Sequence, residues 1–242
     1  EKAKQYLEAF QRVQPVSPVS KLLARIYMAD GNTALAINIL EPYLRAQPGD
    51  GQAITLLARA HMAAGRNAKA SALMQEALKA QDNPAFRTTL GLSLVGEGQT
   101  ASGIKELEVA YKKDPRQLQA ATALVQLYLR SNQAKKAVPV AEQLVAAQGN
   151  NAGFHNLLGM VQGQAGNILA SRKAFEKAIS LDANFNQAKL PLAKLEIATR
   201  AYDAATKRLT DLLQNDPKYS EAMFELAVVA ELKGQQGDAQ RW

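Results

Sequence analysis

Apolar residues fall along this chain in short stripes of helical period, each interrupted by a polar turn. The stretch LGMVQGQAGNILASRKAFEKAISLD, Leu158 to Asp182, shows the pattern: two one-sided apolar segments flank Gly166 and Asn167. Neither segment is long enough to stand alone as a helix in water. Such a stretch is either an isolated helical hairpin or one unit of something that recurs, and sliding it along the chain decides the matter. Its leading leucine returns as Leu23, Leu57, Leu90, Leu124, Leu158, Leu192 and Leu226, at separations of 34, 33, 34, 34, 34 and 34 residues. A spacing held so tightly predicts a repeat of paired helices.

The residues around those leucines give the pairs a packing logic. Directly after them stand Ala24, Ala58, Gly91, Val125, Gly159, Ala193 and Ala227, nearly all small, so that a neighbouring helix can approach closely. The turn within each pair carries Gly31, Gly65, Gly98, Asn132, Gly166 and Gly234, residues that accept the left-handed conformation at a helix end. Arg200 breaks this series. On the second helix the small residue recurs as Ala3, Ala36, Ala70, Gly103, Ala137, Ser171, Ala205 and Ala239. A bulky one follows four positions later in most copies, as at Leu40, Met74, Leu107, Phe175 and Leu209. Gln47-Pro48, Asp114-Pro115, Asp216-Pro217 and Gln148-Gly149 end the units.

These residues resemble the tetratricopeptide repeat, whose period is 34 and whose signature sets Leu-Gly, Ala, Phe, Ala and Pro at fixed offsets. Leu158-Gly159, Phe175 and Ala178 make the best copy, while the early Trp of the family is replaced, for example by Ile54, His155 and Met223. The resemblance implies an all-α fold, a single α-solenoid of antiparallel helix pairs wound as a right-handed superhelix. Residues 1–16 read as the second helix of a truncated repeat. Full repeats follow at 17–50, 51–83, 84–117, 118–151, 152–185 and 186–219, and 220–242 opens one more. Neither end reads as a polar capping helix, so the chain is expected to be a piece of a longer protein. Pro42 and Pro139 fall deep in predicted helices and should bend them, whereas Pro191 falls near a helix start, where its missing N–H costs little.

Composition narrows the chemistry. At 47% hydrophobic, 6% aromatic and 21% charged, the chain belongs with globular proteins, and no run of about 18 apolar residues suggests a membrane span. The opening EKAKQYLEAF is no secretory signal, so the protein is either cytosolic or has lost a leader. Cysteine is absent, which excludes disulfides, thiolate zinc sites and cysteine nucleophiles. The net charge of +7 is spread evenly: residues 1–121 carry 15 basic against 11 acidic groups, and residues 122–242 carry 14 against 11. Without a basic block, nucleic acid is not the expected partner.

Gly96 to Ala101 fits the loose pattern G-x-G-x-x-A, but it follows a helix rather than a strand. Gly98 to Gly103 has P-loop spacing, but Ile104 stands where Lys is required. His61 and His155 lie on different repeats and read as packing histidines rather than metal ligands. No Ser or Asp has a nucleophile-elbow context, so the reading is non-enzymatic and without cofactor or metal.

What remains is the face formed by the first helices, which in such a solenoid lines a concave groove. Its solvent-side stripe reads Lys21, Arg25 and Met28, then Thr55, Arg59 and Met62, then Thr88, Leu92 and Val95. Thr122, Gln126 and Leu129 follow, then Asn156 and Met160. Arg25 and Arg59 share one slot of the repeat, and Met28 and Met62 another. Arg can hold a carboxylate through two parallel hydrogen bonds, and the unbranched, polarizable Met suits an irregular peptide. The family's clamp for a terminal carboxylate uses Lys and Asn. Lys21 matches its first slot, and Arg25 stands where Asn belongs. The expected function is a scaffold that binds an extended peptide or a partner helix along the groove.

A narrower resemblance lies in the texture of LLARIYMADGNTALAINILEPYLRAQPGD and FRTTLGLSLVGEGQTASGIKELEVAYKKDP. Both are similar to the long tetratricopeptide lipoproteins of bacterial exosortase (PEP-CTERM) sorting and exopolysaccharide loci. That resemblance implies export to the periplasm, a lipid-anchoring cysteine upstream of Glu1, and a role in assembling surface polymer or sorted proteins. Two alternatives from other classes are the recruiting arm of a larger enzyme and an RNA-binding helical repeat. The varied slot Arg25, Arg59, Leu92, Gln126, Met160 counts against a base-reading code.

Overall fold

The computed structural model describes residues 2–242, the side chain of Gln240 apart; residue 1 of the expected opening segment lies outside the described residues. Among the described residues the secondary structure is fifteen helices and no strand. The chain divides into two compact units, residues 1–127 and 128–242. The first holds α1 (Lys2–Val13), α2 (Val19–Ala29), α3 (Thr33–Ala46), α4 (Gly51–Ala63), α5 (Asn67–Ala80), α6 (Pro84–Gly96), α7 (Thr100–Lys113) and most of α8 (Leu118–Arg130). The second continues with α9 (Ala134–Ala147), α10 (Ala152–Gln164), α11 (Ile168–Leu181), α12 (Asn186–Ala198), α13 (Tyr202–Asn215), α14 (Ser220–Leu232) and α15 (Gln236–Arg241).

In each unit a first helix packs on its own second helix and on the first helix of the next pair. In unit 1, α2 touches α3 and α4, and α4 touches α5 and α6. In unit 2, α10 touches α11 and α12, and α12 touches α13 and α14. The small residues make this possible. A Cβ added at Gly91 would lie 2.7 Å from Leu107 and 2.9 Å from the Gly103 carbonyl, and one at Gly159 would lie 2.6 Å from the Phe175 ring. Ala24, Ala58, Ala193, Ala36, Ala70, Ala137 and Ala205 are fully buried in the equivalent places. The core is therefore a row of local clusters, such as Leu23, Ile37, Leu40 and Leu57 in unit 1 and Leu190, Leu209, Leu212 and Leu226 in unit 2.

The turns repeat one backbone solution. Gly31, Gly65, Gly98, Gly166 and Gly234 adopt φ between 72° and 87°, and Asn132 adopts 55°. Arg200, the exception in the sequence, is no exception in the fold, since its φ is 61°. The helices on either side impose the left-handed turn there, and a side chain with a Cβ bears the strain. Glu97 to Gln99, after the last helical residue Gly96, is likewise an ordinary turn joining α6 to α7.

α3, α9 and α12 run through Pro42, Pro139 and Pro191 without interruption. Pro191 sits further in than the sequence suggests, because α12 starts at Asn186, and its missing N–H falls inside the helix.

Candidate functional site

Four helices, α2, α4, α6 and α8, carry the part of the expected strip that falls in unit 1. Arg25 on α2 and Arg59 on α4 are exposed, and neither forms an ion pair among the described residues. Met28 and Met62 are half-buried beside them, each packed against an apolar cluster. Leu92 and Val95 on α6 are half-buried, and so is Thr122 on α8, where Gln126 is exposed. This arrangement leaves two free guanidinium groups next to partly open thioethers.

Three polar residues of that strip are already engaged. The Lys21 ammonium donates to Asp50 Oδ2 at 2.7 Å, and the Tyr43 hydroxyl donates to the same oxygen at 2.7 Å. Lys21 also lies 5.8 Å from the Tyr43 ring centre. Asp50 is the N-cap of α4, taking the Ala53 N–H at 3.0 Å. One carboxylate thus joins α2, the end of α3 and the start of α4. Burial works to raise the Asp50 carboxyl, but the Lys21 ammonium, the Ala53 N–H and the Tyr43 hydroxyl outweigh it and lower its pKa to about 2. Thr88 is only 2% exposed, with its hydroxyl 2.9 Å from the Pro84 carbonyl and 2.8 Å from the side-chain amide of Gln117. Thr55 donates to the Gly51 carbonyl at 2.8 Å. These side chains fasten one helix pair to the next or satisfy their own backbone.

In unit 2 the structure brings Leu129 and Met160 to one cleft of about 450 Å³. Met160 is exposed, and the Asn156 amide lies 4.0 Å from its sulfur. Gly159, Gly163 and Ser171 line one side of the cleft, Phe175 lines its inner part, and Pro191, Lys194, Leu195 and Ala198 of α12 form the opposite side. The expected strip stopped at Met160 and missed Lys194, which stands in the slot of Arg25 and Arg59, and the exposed Phe224, which stands in the slot of Lys21. Counting the same period two repeats further would have found both.

Both histidines are buried. His155 Nε2 lies 2.8 Å from the Gly149 carbonyl, and burial, with Lys69 and Arg66 nearby, lowers the pKa of His61. A feature with no warning in the sequence is Glu196, 1% exposed on α12. It accepts two hydrogen bonds from the Arg208 guanidinium, at 2.8 and 3.1 Å. That bidentate pair fastens α12 to α13.

Stacked antiparallel helix pairs with small-residue contacts and left-handed turns define the class of α-helical repeat proteins. The tetratricopeptide repeat pattern matches residues 27–91 and 94–161, more than half of the chain, and variants of it match 152–185 and 190–240. The chain belongs to the tetratricopeptide repeat family.

Solved structures share this fold. MamA from Desulfovibrio magneticus RS-1, from residue 41 onward, is 19% identical, with 69% of this chain and 94% of that one covered and a TM-score of 0.63. The C-terminal part of a repeat-containing protein from Cytophaga hutchinsonii is 15% identical, with 91% and 92% covered and a TM-score of 0.72. A chain of the APC/C hetero-tetramer Cut9–Hcn1 is 14% identical, with 98% of this chain and 47% of that one covered and a TM-score of 0.65. No curated protein matches the chain. No helix among the described residues is long and apolar enough to cross a membrane.

Proposed function

We propose that this protein is a non-enzymatic scaffold that binds an extended segment or a helix of a partner protein on the face formed by its first helices, in the repeat register 17–50 to 186–219. The supporting observation is the exposed pair Arg25 and Arg59, one slot on adjacent first helices, without ion pairs among the described residues and beside the open edges of Met28 and Met62. Guanidinium groups kept out of water's competition by a bound segment can take its carboxylates or backbone carbonyls, while the thioethers cover its apolar side chains. Such a face needs no metal or cofactor. In this reading the narrower role, in periplasmic exopolysaccharide or protein-sorting assembly through a lipid-anchored precursor, rests on the textural resemblance alone. Fractionation of the host cell tests it, and recovery of the protein in the cytosol would remove it.

The scaffold reading is tested by crosslinking the protein in its host and identifying what is attached. The double variant Arg25→Glu, Arg59→Glu is expected to lose capture of those partners, with helicity and melting unchanged because both side chains are exposed. Undiminished capture by the double variant would refute the assignment of this face.

A further inference from the structure

One pair of unit 2 lacks a side chain at a slot that every other pair fills, and a cleft lies beside it. Five residues after the leading leucine the pairs carry Met28, Met62, Val95, Leu129, Gly163, Ile197 and Glu231. Only the pair of α10 and α11 has no side chain there. Where most other pairs place a thioether or a branched chain, Gly163 has only backbone, set so close to Ser171 that an added Cβ would lie 3.0 Å from its hydroxyl oxygen, and a cleft of about 450 Å³ lies beside it. Its volume falls in the ordinary range of sites that enclose a ligand group. Apart from Gln164, Ser171 and Lys194, the cleft is lined by apolar side chains and glycine. Gln164 is committed, since its amide donates to the Leu129 carbonyl at 3.1 Å and to Asn132 Oδ1 at 3.0 Å. Ser171 is committed too, donating to the Gly159 carbonyl at 2.7 Å.

The cleft has one charged side chain in its wall, and that side chain is only partly engaged. Lys194 is the only charged side chain among its described lining residues. Its side chain is 51% exposed, and its ammonium lies 3.3 Å from Glu225, which is itself 14% exposed. An ammonium has three donors, and one contact of that length leaves the others for a second acceptor. An apolar hollow with a half-free cation at its edge complements an apolar group carried next to an anion.

We propose that this cleft takes one bulky apolar side chain, phenylalanine- or leucine-like, from an extended partner segment in which an acidic residue stands directly beside it, the carboxylate pairing with Lys194. The proposal rests on the scaffold reading and sharpens it by naming the sequence the partner must present. Gly163 puts no side chain into the cleft, Phe175 and Leu195 supply the apolar contact, and Lys194 sets the preferred neighbour.

The test uses the whole chain, labelled with ¹⁵N, and the blocked peptide Gly-Asp-Phe-Glu-Gly-Ser as probe, with companions in which Phe is replaced by Ala or both acids by Lys. Binding of the parent peptide should move the amide signals of Gly163, Met160 and Leu195 first. The Ala and Lys companions should bind more weakly by on the order of tenfold or more, the loss of one buried apolar side chain or of the charge match. Gly163→Met, which installs the unit 1 residue, should abolish binding. Ala198→Phe, a change at an exposed rim position, should do the same without burdening the fold, and Lys194→Glu should reverse the preference toward the Lys-flanked peptide. The proposal is overturned if no peptide binds up to about 1 mM, if both space-filling variants bind within about twofold of the parent protein, or if the shifts centre elsewhere. Arg25→Glu with Arg59→Glu separates the two readings. A protein that captures its partner through Arg25 and Arg59 yet ignores the peptides sinks the cleft and spares the scaffold.

Discussion

Unit 1 and unit 2 present the same helix face with opposite economies of space. In unit 1 the slots are filled: Met28 and Met62 close the surface, and Lys21 is tied down by a carboxylate that also caps the next helix. In unit 2 the slot of Met28 and Met62 holds Gly163 in one pair, the slot of Arg25 and Arg59 holds a Lys194 that stays half exposed, and a cleft lies beside them. The small-residue contacts between helices are alike in both. Within this fold, what a face can hold depends on the side-chain volume at each slot and on how fully the chain itself engages each charged residue.

The sharpest way to break the comparison is through the residue that borders the cleft. Phe175, 3% exposed, stands in the slot that Met74 fills in unit 1. Phe175→Ala is expected to cost about 3–5 kcal/mol in urea unfolding, against about 2–5 for Met74→Ala. A loss under about 1 kcal/mol for Phe175→Ala would mean that the cleft reaches past a side chain that is not packed at all.

A smaller effect is expected at Asp50, whose counterpart in unit 2 is the uncharged cap Asn151. Asp50→Ala removes a helix cap, the Lys21 pair and the Tyr43 acceptor, at a cost of about 2 kcal/mol, the ion pair counting for little because both partners are partly exposed. The pH dependence has a definite sign. The folded carboxyl titrates at about 2, below the value of a free aspartate, so the unfolded chain takes up the proton first. The stabilisation from Asp50 is complete above about pH 4 and fades as pH falls toward about 2. Acid unfolding of Asp50→Asn should lack that part of the slope, and Asn151→Ala should leave the slope unchanged. A wild-type slope in Asp50→Asn would show that other carboxylates, such as Asp82, carry the whole of it.

The smallest expected effect is a gain. Arg200 in unit 2 holds the conformation that Gly31, Gly65 and Gly98 hold in unit 1. Arg200→Gly should raise stability by about 1 kcal/mol, and Gly65→Ala should lower it by a similar amount. Calorimetry that finds no rise for Arg200→Gly would show that the exposed arginine gains elsewhere what the turn costs.

Much of this architecture is legible in the sequence, because the features that make it are local. The leading leucines, the small residues after them and the glycines of the turns each act within one or two helices, so their spacing declares the pairs. Arg200 shows where such reading stops: a residue of the wrong type was counted as a break, although its neighbours force the same backbone. The face was legible in position but less so in state. Lys21 and Thr88 sit in its slots, yet their polar atoms are taken up by Asp50 and Gln117, each 29 residues away. Nothing in a single-residue pattern announces such a pairing. The pair of buried Glu196 and half-buried Arg208 is hidden for the same reason. The cleft beside Gly163 is not legible either, because its lining comes from four helices between Leu129 and Ala198.

Most of that cleft lies within one matched stretch, residues 152–185, which supplies Gly159, Met160, Gly163, Gln164, Ser171 and Phe175. A hollow whose floor is one helical module and whose far wall is the next first helix behaves as a two-part cassette. If the proposed preference holds, moving this module together with the following helix into another array of the same period would carry the preference along, so that recognition in such arrays could be inherited or engineered by adjoining modules.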